Sequence, residues 1–296
     1  MKYKAYLCSF LLTFPILGKA SAEADSLRQV QISRLQEQVN WVNPEAIRAY
    51  LDDTKSSLGD KAPVLYQKLE ELETLLPRVN RHLSEDTTRQ TIAEAEKLLA
   101  LKREIILANP LLDVDKILIA RYRLGNKARK AMGPSLGTSV ANYNSLFCSR
   151  RKGYDAEISQ LSNLRGDIQS KTIYKPEADV PISDIQLHWD ADRLLFSSLN
   201  ENRQWQIYEI NTDGTGLHQK VVVDEPDLEF CDANYLPDGK VVATCNIGYN
   251  GVPCVHGDDV VANLVSYDPE TKNIHRLTFD QDGNWAPIVI PNGRLI

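Results

Sequence analysis

The sequence predicts a multidomain chain, an all-α N-terminal region followed by an incomplete all-β propeller, and three observations carry this. Residues 26–109 are poor in glycine, rich in Leu, Glu, Lys, Arg and Gln, and carry apolar stripes at helical spacing. From Ile182 the chain changes to short strands separated by turns, and those strands recur as an internal repeat. At 296 residues, 43% apolar and 25% charged, it can bury a sizeable core.

The first element is a signal peptide over residues 1–22. Met1-Lys2-Tyr3-Lys4 supplies the charged start, Ala5 to Gly18 the apolar run, and Ala20-Ser21-Ala22 the small-residue cleavage site. The run is followed at once by Glu23, Asp25 and Arg28, too soon for the roughly 20 apolar residues of a membrane span. No transmembrane segment is expected after cleavage, and the mature chain is expected in the periplasm or outside the cell. Losing Lys2, Lys4 and Lys19 takes the formal charge from −6 to −9, which speaks against a nucleic-acid partner.

The helical region spans 23–109. Asn43-Pro44-Glu45 places a cap before a proline at the first helical position, so a helix runs from Pro44 to about Leu58 and ends at Gly59. Leu65, Leu69, Leu72 and Leu76 line one face of the next helix, which Pro77 is expected to perturb. A third helix starts near Ser84, shows Ile92, Ala95, Leu99 and Ile106 on one face, and closes at Asn109-Pro110.

Residues 110–181 form a mixed lead-in in which Lys116–Tyr122 reads as a strand. Gly133-Pro134 and Gly137 mark turns, and Ser149-Arg150-Arg151-Lys152 is a basic loop cluster with no partner assigned.

Residues 182–296 read as the first two blades and a partial third blade of a truncated propeller. Asp190-Ala191-Asp192-Arg193-Leu194-Leu195-Phe196 corresponds to Pro237-Asp238-Gly239-Lys240-Val241-Val242-Ala243 and to Pro291-Asn292-Gly293-Arg294-Leu295-Ile296. Gln206–Gly214 likewise matches Asn263–Glu270. Four to eight blades close a ring, and about 115 residues supply barely more than two, so the chain reads as an N-terminal fragment of a longer protein.

The segments Leu187–Ser198, Asp232–Gly239, Gly251–Cys254 and Leu277–Asp282, with Trp285, Pro287 and the upstream Asn109–Asp113, resemble the TolB-type propeller of proteins related to the hydrazine synthase alpha subunit. The likeness covers roughly residues 109–296. It implies the propeller of that family's middle domain. The family's enzyme works on c-type haems, whose attachment requires Cys-x-x-Cys-His, and this sequence has none. The resemblance therefore implies no cofactor in this chain, and haem only in a longer protein.

No Gly-x-Ser-x-Gly elbow, His-Glu-x-x-His or Walker loop occurs, and no catalytic residue is assigned. The second blade's insertion brings Cys254, His256 and Asp258 together, a weak set of zinc ligands set against the simpler reading of a disulfide cysteine beside a polar turn. After signal cleavage Cys148, Cys231, Cys245 and Cys254 remain, and Cys245 with Cys254 is the favoured pair. Asp280–Asn284 and Asp213–Gly216 read as turns, and Trp189, Trp205 and Trp285 as packing between blades. The expected function is a non-catalytic binding or scaffold module for a protein or glycan partner. The alternative is the front of a periplasmic haem or redox enzyme whose catalytic part lies beyond residue 296.

Overall fold

A computed structural model describes residues 28–85, 88–124, 147, 151–253, 260–290 and 292–296. The expected signal peptide and the Cys254–Asp259 loop lie outside them. The chain divides between Val114 and Asp115 into two compact units.

Among the described residues the first unit holds four α-helices: α1 (residues 28–40), α2 (Pro44–Leu58), α3 (Ala62–Glu85) and α4 (Arg89–Leu107). The Asn43 side chain accepts a hydrogen bond from the Ala46 N–H, and Gly59, at φ 53°, ends α2, as the capping residues predict. Helix α3 differs from expectation, because it runs through Pro77 to Glu85. Pro77 removes one backbone donor from an exposed face, while Leu75, Val79 and Leu83 stay buried on either side of it, so packing outweighs the break. Helix α4 begins at a Thr88 cap, later than Ser84, and its buried stripe is Thr91, Ala95, Leu98, Leu101 and Ile105. Ile92 and Leu99 pack only at the margin of that core. Tyr50 Oη donates to the Ile106 carbonyl at 2.9 Å and Gln36 Nε2 to the Leu83 carbonyl at 2.7 Å, which tie α2 to α4 and α1 to α3.

Among the described residues the second unit forms three antiparallel sheets stacked face to face. The first is β1 (Lys116–Leu124), β2 (Tyr154–Ser162) and β3 (Gln169–Tyr174). The second is β4 (Ile182–Leu187), β5 (Arg193–Leu199), β6 (Trp205–Asn211) and β7 (His218–Gln219). The third is β8 (Phe230–Tyr235), β9 (Val241–Cys245), β10 (Asn263–Tyr267) and β11 (Ile274–Arg276). Strand alternation decides what meets what. Leu194 and Phe196 face the first sheet and pack with Tyr154, Ile158 and Ile173. Leu195 and Ile207 face the third sheet and pack with Phe230, Val241 and Val265. The stacking therefore begins at Lys116, and the segment expected as a mixed lead-in is itself a sheet.

Each four-stranded sheet is a simple meander, and the repeat holds strand for strand: β4 with β8, β5 with β9, β6 with β10, β7 with β11. The turn register corrects the sequence pairing by one residue. The glycine of the second turn, Gly239 at φ 85°, has its counterpart in Ala191 at φ 56°. His188 N–H bonds to the Arg193 carbonyl, whereas Leu236 N–H bonds to Lys240, so Asp192 is an extra residue in the first turn. A third repeat opens with Val289 bridged to Leu295. Among the described residues no helix is long and apolar enough to cross a membrane.

Candidate functional site

The two meanders share an irregularity that the sequence reading did not single out. In β4–β5 the register steps from Ser183 opposite Ser197 to Gln186 opposite Leu195, leaving Asp184 and Ile185 opposite Phe196 alone. In β8–β9 it steps from Cys231 opposite Thr244 to Asn234 opposite Val242, leaving Asp232 and Ala233 opposite Ala243. Both aspartates have φ 53°, and Ala286, at the start of the third repeat, has φ 51°. A left-handed conformation costs a non-glycine residue about 1–2 kcal/mol, so the recurrence marks a position held by its surroundings.

The two aspartates are brought together by the stacking of β4 and β8. Ser183 Oγ donates to Asp184 Oδ1 at 2.9 Å, and the Ala286 N–H donates to Asp232 Oδ2 at 3.2 Å. The Asp232 N–H donates to Ser197 Oγ at 3.1 Å, joining the second bulge to the first sheet of the pair. Asp184 Oδ2 is shut off from solvent, and the Asp184 carboxyl has the Asp232 carboxyl and the Ser197 hydroxyl as hydrogen-bond neighbours besides Ser183. Burial first, and then the Asp232 carboxylate, push the Asp184 carboxyl well above the usual aspartate range. The same surroundings raise the neighbouring Cys231 thiol, again by burial first and by Asp232 next. Among the described residues neither carboxylate has a Lys, Arg or His at ion-pair distance. Chemically, two facing carboxylates with no basic partner can share a proton or hold a cation.

A second polar cluster sits at the other end of the same strands, centred on the buried Glu209 of β6. Tyr235 Oη donates to its Oε2 at 2.9 Å and Lys220 Nζ lies 2.9 Å from the same oxygen, with His218 Nε2 3.5 Å from Oε1. Burial, followed by the Glu209 charge, raises the Tyr235 hydroxyl far above the usual range, so it stays a hydrogen-bond donor. His188, Asp190 and Asp192 lie close enough together to suggest metal ligands. Arg193 already serves that group: its Nη1 reaches both Asp192 oxygens at 2.9 Å and its Nη2 meets His188 Nε2 at 2.6 Å. A guanidinium in that place supplies the positive charge a metal would, and the group locks the turn.

Of the residues singled out by sequence, Cys254, His256 and Asp258 lie outside the described residues. Cys245 has a free, buried thiol, as does Cys231. Phe230 pairs with Cys245 and Cys231 with Thr244, so the two thiols point to opposite faces of one hairpin. Trp205 is fully buried as expected, but Trp189 is 59% exposed and Trp285 36%, because both sit at sheet margins. Arg151, part of the basic loop cluster to which the sequence assigns no partner, is built in: it donates to the Arg203 carbonyl at 2.7 Å and pairs with Glu229 at 2.9 Å. Gly214, in the turn after β6, comes so close to the first sheet that a Cβ would stand 2.9 Å from the Ile173 carbonyl oxygen.

Face-to-face stacking of repeated antiparallel meanders makes the second unit a set of propeller-type blades, with the paired aspartates on their first strands. Among solved structures the chain is similar to TolB from Acinetobacter baumannii, at 18% identity and TM-score 0.36 over 47% of this chain and 30% of that one. It is similar to a Mycobacterium tuberculosis puromycin-hydrolyzing peptidase at 18% identity and TM-score 0.31, over 42% of this chain and 18% of that one. It is also similar to an oligogalacturonate lyase in complex with manganese, at 15% identity and TM-score 0.35, over 56% and 39%. The chain thus spans less than two fifths of the length of each. No family model matches the chain, and no curated protein matches it.

Proposed function

We propose that this chain is an exported binding or scaffold module of the propeller type, related to the middle domain of the hydrazine synthase alpha subunit family, that presents its turns to a protein or glycan partner. The observation that carries the reading is the strand-for-strand repeat. The apolar positions of the blades are spent on stacking, and their polar clusters hold strands and turns, so the exposed connections are left to vary and bind. Haem does not fit these residues. The sequence lacks Cys-x-x-Cys-His, and the two described thiols are buried on opposite faces of one hairpin.

Two measurements test the proposal. Residues 1–30 fused to alkaline phosphatase should give activity only on the far side of the membrane. Purified chain should bind saturably on an array of immobilised glycans or to the isolated envelope fraction, without altering what it binds. A Soret band in the purified chain would overturn the non-catalytic assignment.

A further inference from the structure

We propose that the cleft between the β5–β6 turn and the segment leading into β8 is a carbohydrate site that takes one neutral, hydroxyl-rich sugar ring. This rests on the binding-module reading and deepens it, replacing an unspecified partner by a class of ligand.

The cleft has a volume of about 190 Å³, below the roughly 300–1,000 Å³ of pockets that enclose drug-sized ligands, so it suits a single ring whose chain runs out to solvent. Five of its lining side chains are carboxamides: Asn200, Asn202, Gln204, Gln206 and Gln219. Three of them are locked in place. Asn200 Oδ1 accepts from the Asn202 and Gln204 N–H groups at 3.0 and 2.9 Å and fixes the turn. Gln204 Nε2 donates to the Pro226 carbonyl at 2.8 Å and Gln206 Nε2 to the Leu228 carbonyl at 3.1 Å, tying the two sides together, so binding need not order the walls. Gln219 Nε2 spends its two N–H groups on Gln206 Oε1 at 3.2 Å and the Val221 carbonyl at 2.8 Å, which leaves its Oε1 as an acceptor. Among the described residues the side chains of Asn202 and Glu225, also in the lining, make no hydrogen bond.

The uncommitted groups are thus one amide that both donates and accepts, and two acceptors. Sugar hydroxyls, each donor and acceptor at once, match that set. Val223, Pro226 and Leu228 give an apolar wall for the C–H groups of a ring. Among the described residues no Lys, Arg or His lines the cleft, and Glu225 is acidic, so phosphates and uronic acids are selected against. An exposed aromatic stands on the Glu225 side. Tyr249 N–H closes a turn on the Asn246 carbonyl at 2.9 Å, and Asn246 pins that turn to the segment before β8: its Nδ2 donates to the Asp227 carbonyl at 3.1 Å and its Oδ1 accepts from the Glu229 N–H at 2.9 Å. Partial burial, then the charges of Glu225 and Asp227, raise the Tyr249 hydroxyl above its ordinary value. The ring is 57% exposed at φ 49°, a costly conformation for a bulky residue, and offers a face on which the next sugar unit can stack.

The test titrates the full chain with the methyl glycosides of glucose, galactose, mannose, xylose and N-acetylglucosamine, followed by saturation-transfer NMR, with methyl galacturonide as the acidic counterpart. At least one neutral glycoside should saturate, and the uronide should bind about tenfold more weakly or worse. Asn202→Ala and Glu225→Ala, both at exposed positions, should each weaken binding about fivefold and leave the melting temperature unchanged. On the unmutated chain the side-chain amide signals of Asn202 and Gln204 should move as the sugar saturates, which locates the site without a variant. The proposal is overturned if none of the five glycosides saturates, if the uronide binds as tightly as the best of them, or if both variants keep full affinity. Binding to the envelope fraction with none of the glycosides bound leaves the module reading in place and removes the sugar assignment alone.

Discussion

Tyr235 of the third sheet donates a hydrogen bond to Glu209 of the second at 2.9 Å, and Lys220 meets the same carboxylate oxygen at 2.9 Å. This is a polar tie between the two sheets, in addition to the Asp232 N–H bond to Ser197 Oγ. Its two partners should not weigh alike. Tyr235→Phe removes one donor and leaves Glu209 paired with Lys220, at a cost of about 1 kcal/mol. Glu209→Ala leaves a largely buried ammonium and a buried phenol without their acceptor, and should cost about 3 kcal/mol. Urea unfolding of both variants checks the order; equal losses would show that the carboxylate is not the centre of the cluster.

Ala191 at φ 56° stands where the next two repeats have Gly239 at φ 85° and Gly293 at φ 78°. An alanine there bears a strain glycine does not. Ala191→Gly should therefore stabilise the chain by about 0.5 kcal/mol or more, although glycine substitution ordinarily destabilises by raising the entropy of the unfolded chain. Gly239→Ala should destabilise it by about 1 kcal/mol. Thermal melts of the two single variants should move in opposite directions.

The same turns show what the sequence could and could not reveal. Asn43, Pro44 and Gly59 announced α2 because capping chemistry is local. The blade strands were legible because alternation and turn residues repeat with them. Strands β2 and β3 were not, since Asp155, Glu157, Gln160, Gln169 and Lys171 dilute the apolar pattern at a sheet margin. Asp184 and Asp232 stayed hidden for a different reason. Asp192 lengthens the first turn by one residue, so an alignment anchored on Arg193 and Lys240 does not bring the two aspartates into the same column. Their equivalence becomes visible only through the shared bulge and φ.

Pro77 lies within α3 on an exposed face, with the helix continuous through it. It cannot donate to the carbonyl one turn earlier, and its ring crowds that carbonyl. Pro77→Ala should restore the bond with no loss of packing and stabilise the helical unit by about 1–3 kcal/mol. A rise in the helical circular-dichroism midpoint is the expected readout; a fall would mean that the proline is fixing a bend the core requires.

Asp179 accepts from Arg203 Nη2 at 2.8 Å and from the Gly153 N–H at 2.9 Å, and these bonds, the arginine's first, hold its carboxyl below the usual aspartate range. A depressed folded pKa contributes stability that is present above the unfolded pKa and is lost as pH falls through the folded one. Asp179→Asn should therefore melt below the unmutated chain at neutral pH, and the two curves should converge in acid. Because the side chain is exposed, the gap should shrink at high salt.

Cys245 ends β9 opposite Phe230, its side chain buried in the apolar cluster between the second and third sheets, and burial pushes that thiol up to about 12. Only the thiolate reacts with iodoacetamide, so enclosure and a raised pKa act in the same direction. Peptide mapping at pH 8 should find Cys245 and Cys231 unmodified in the native chain and fully alkylated in urea. The extent of native labelling over time then reports how often the β8–β9 hairpin opens, since closed molecules contribute nothing. Fast native labelling of Cys245 alone would mean that the cluster around Phe230 opens while the one holding Cys231 with Leu199 and Trp205 stays packed.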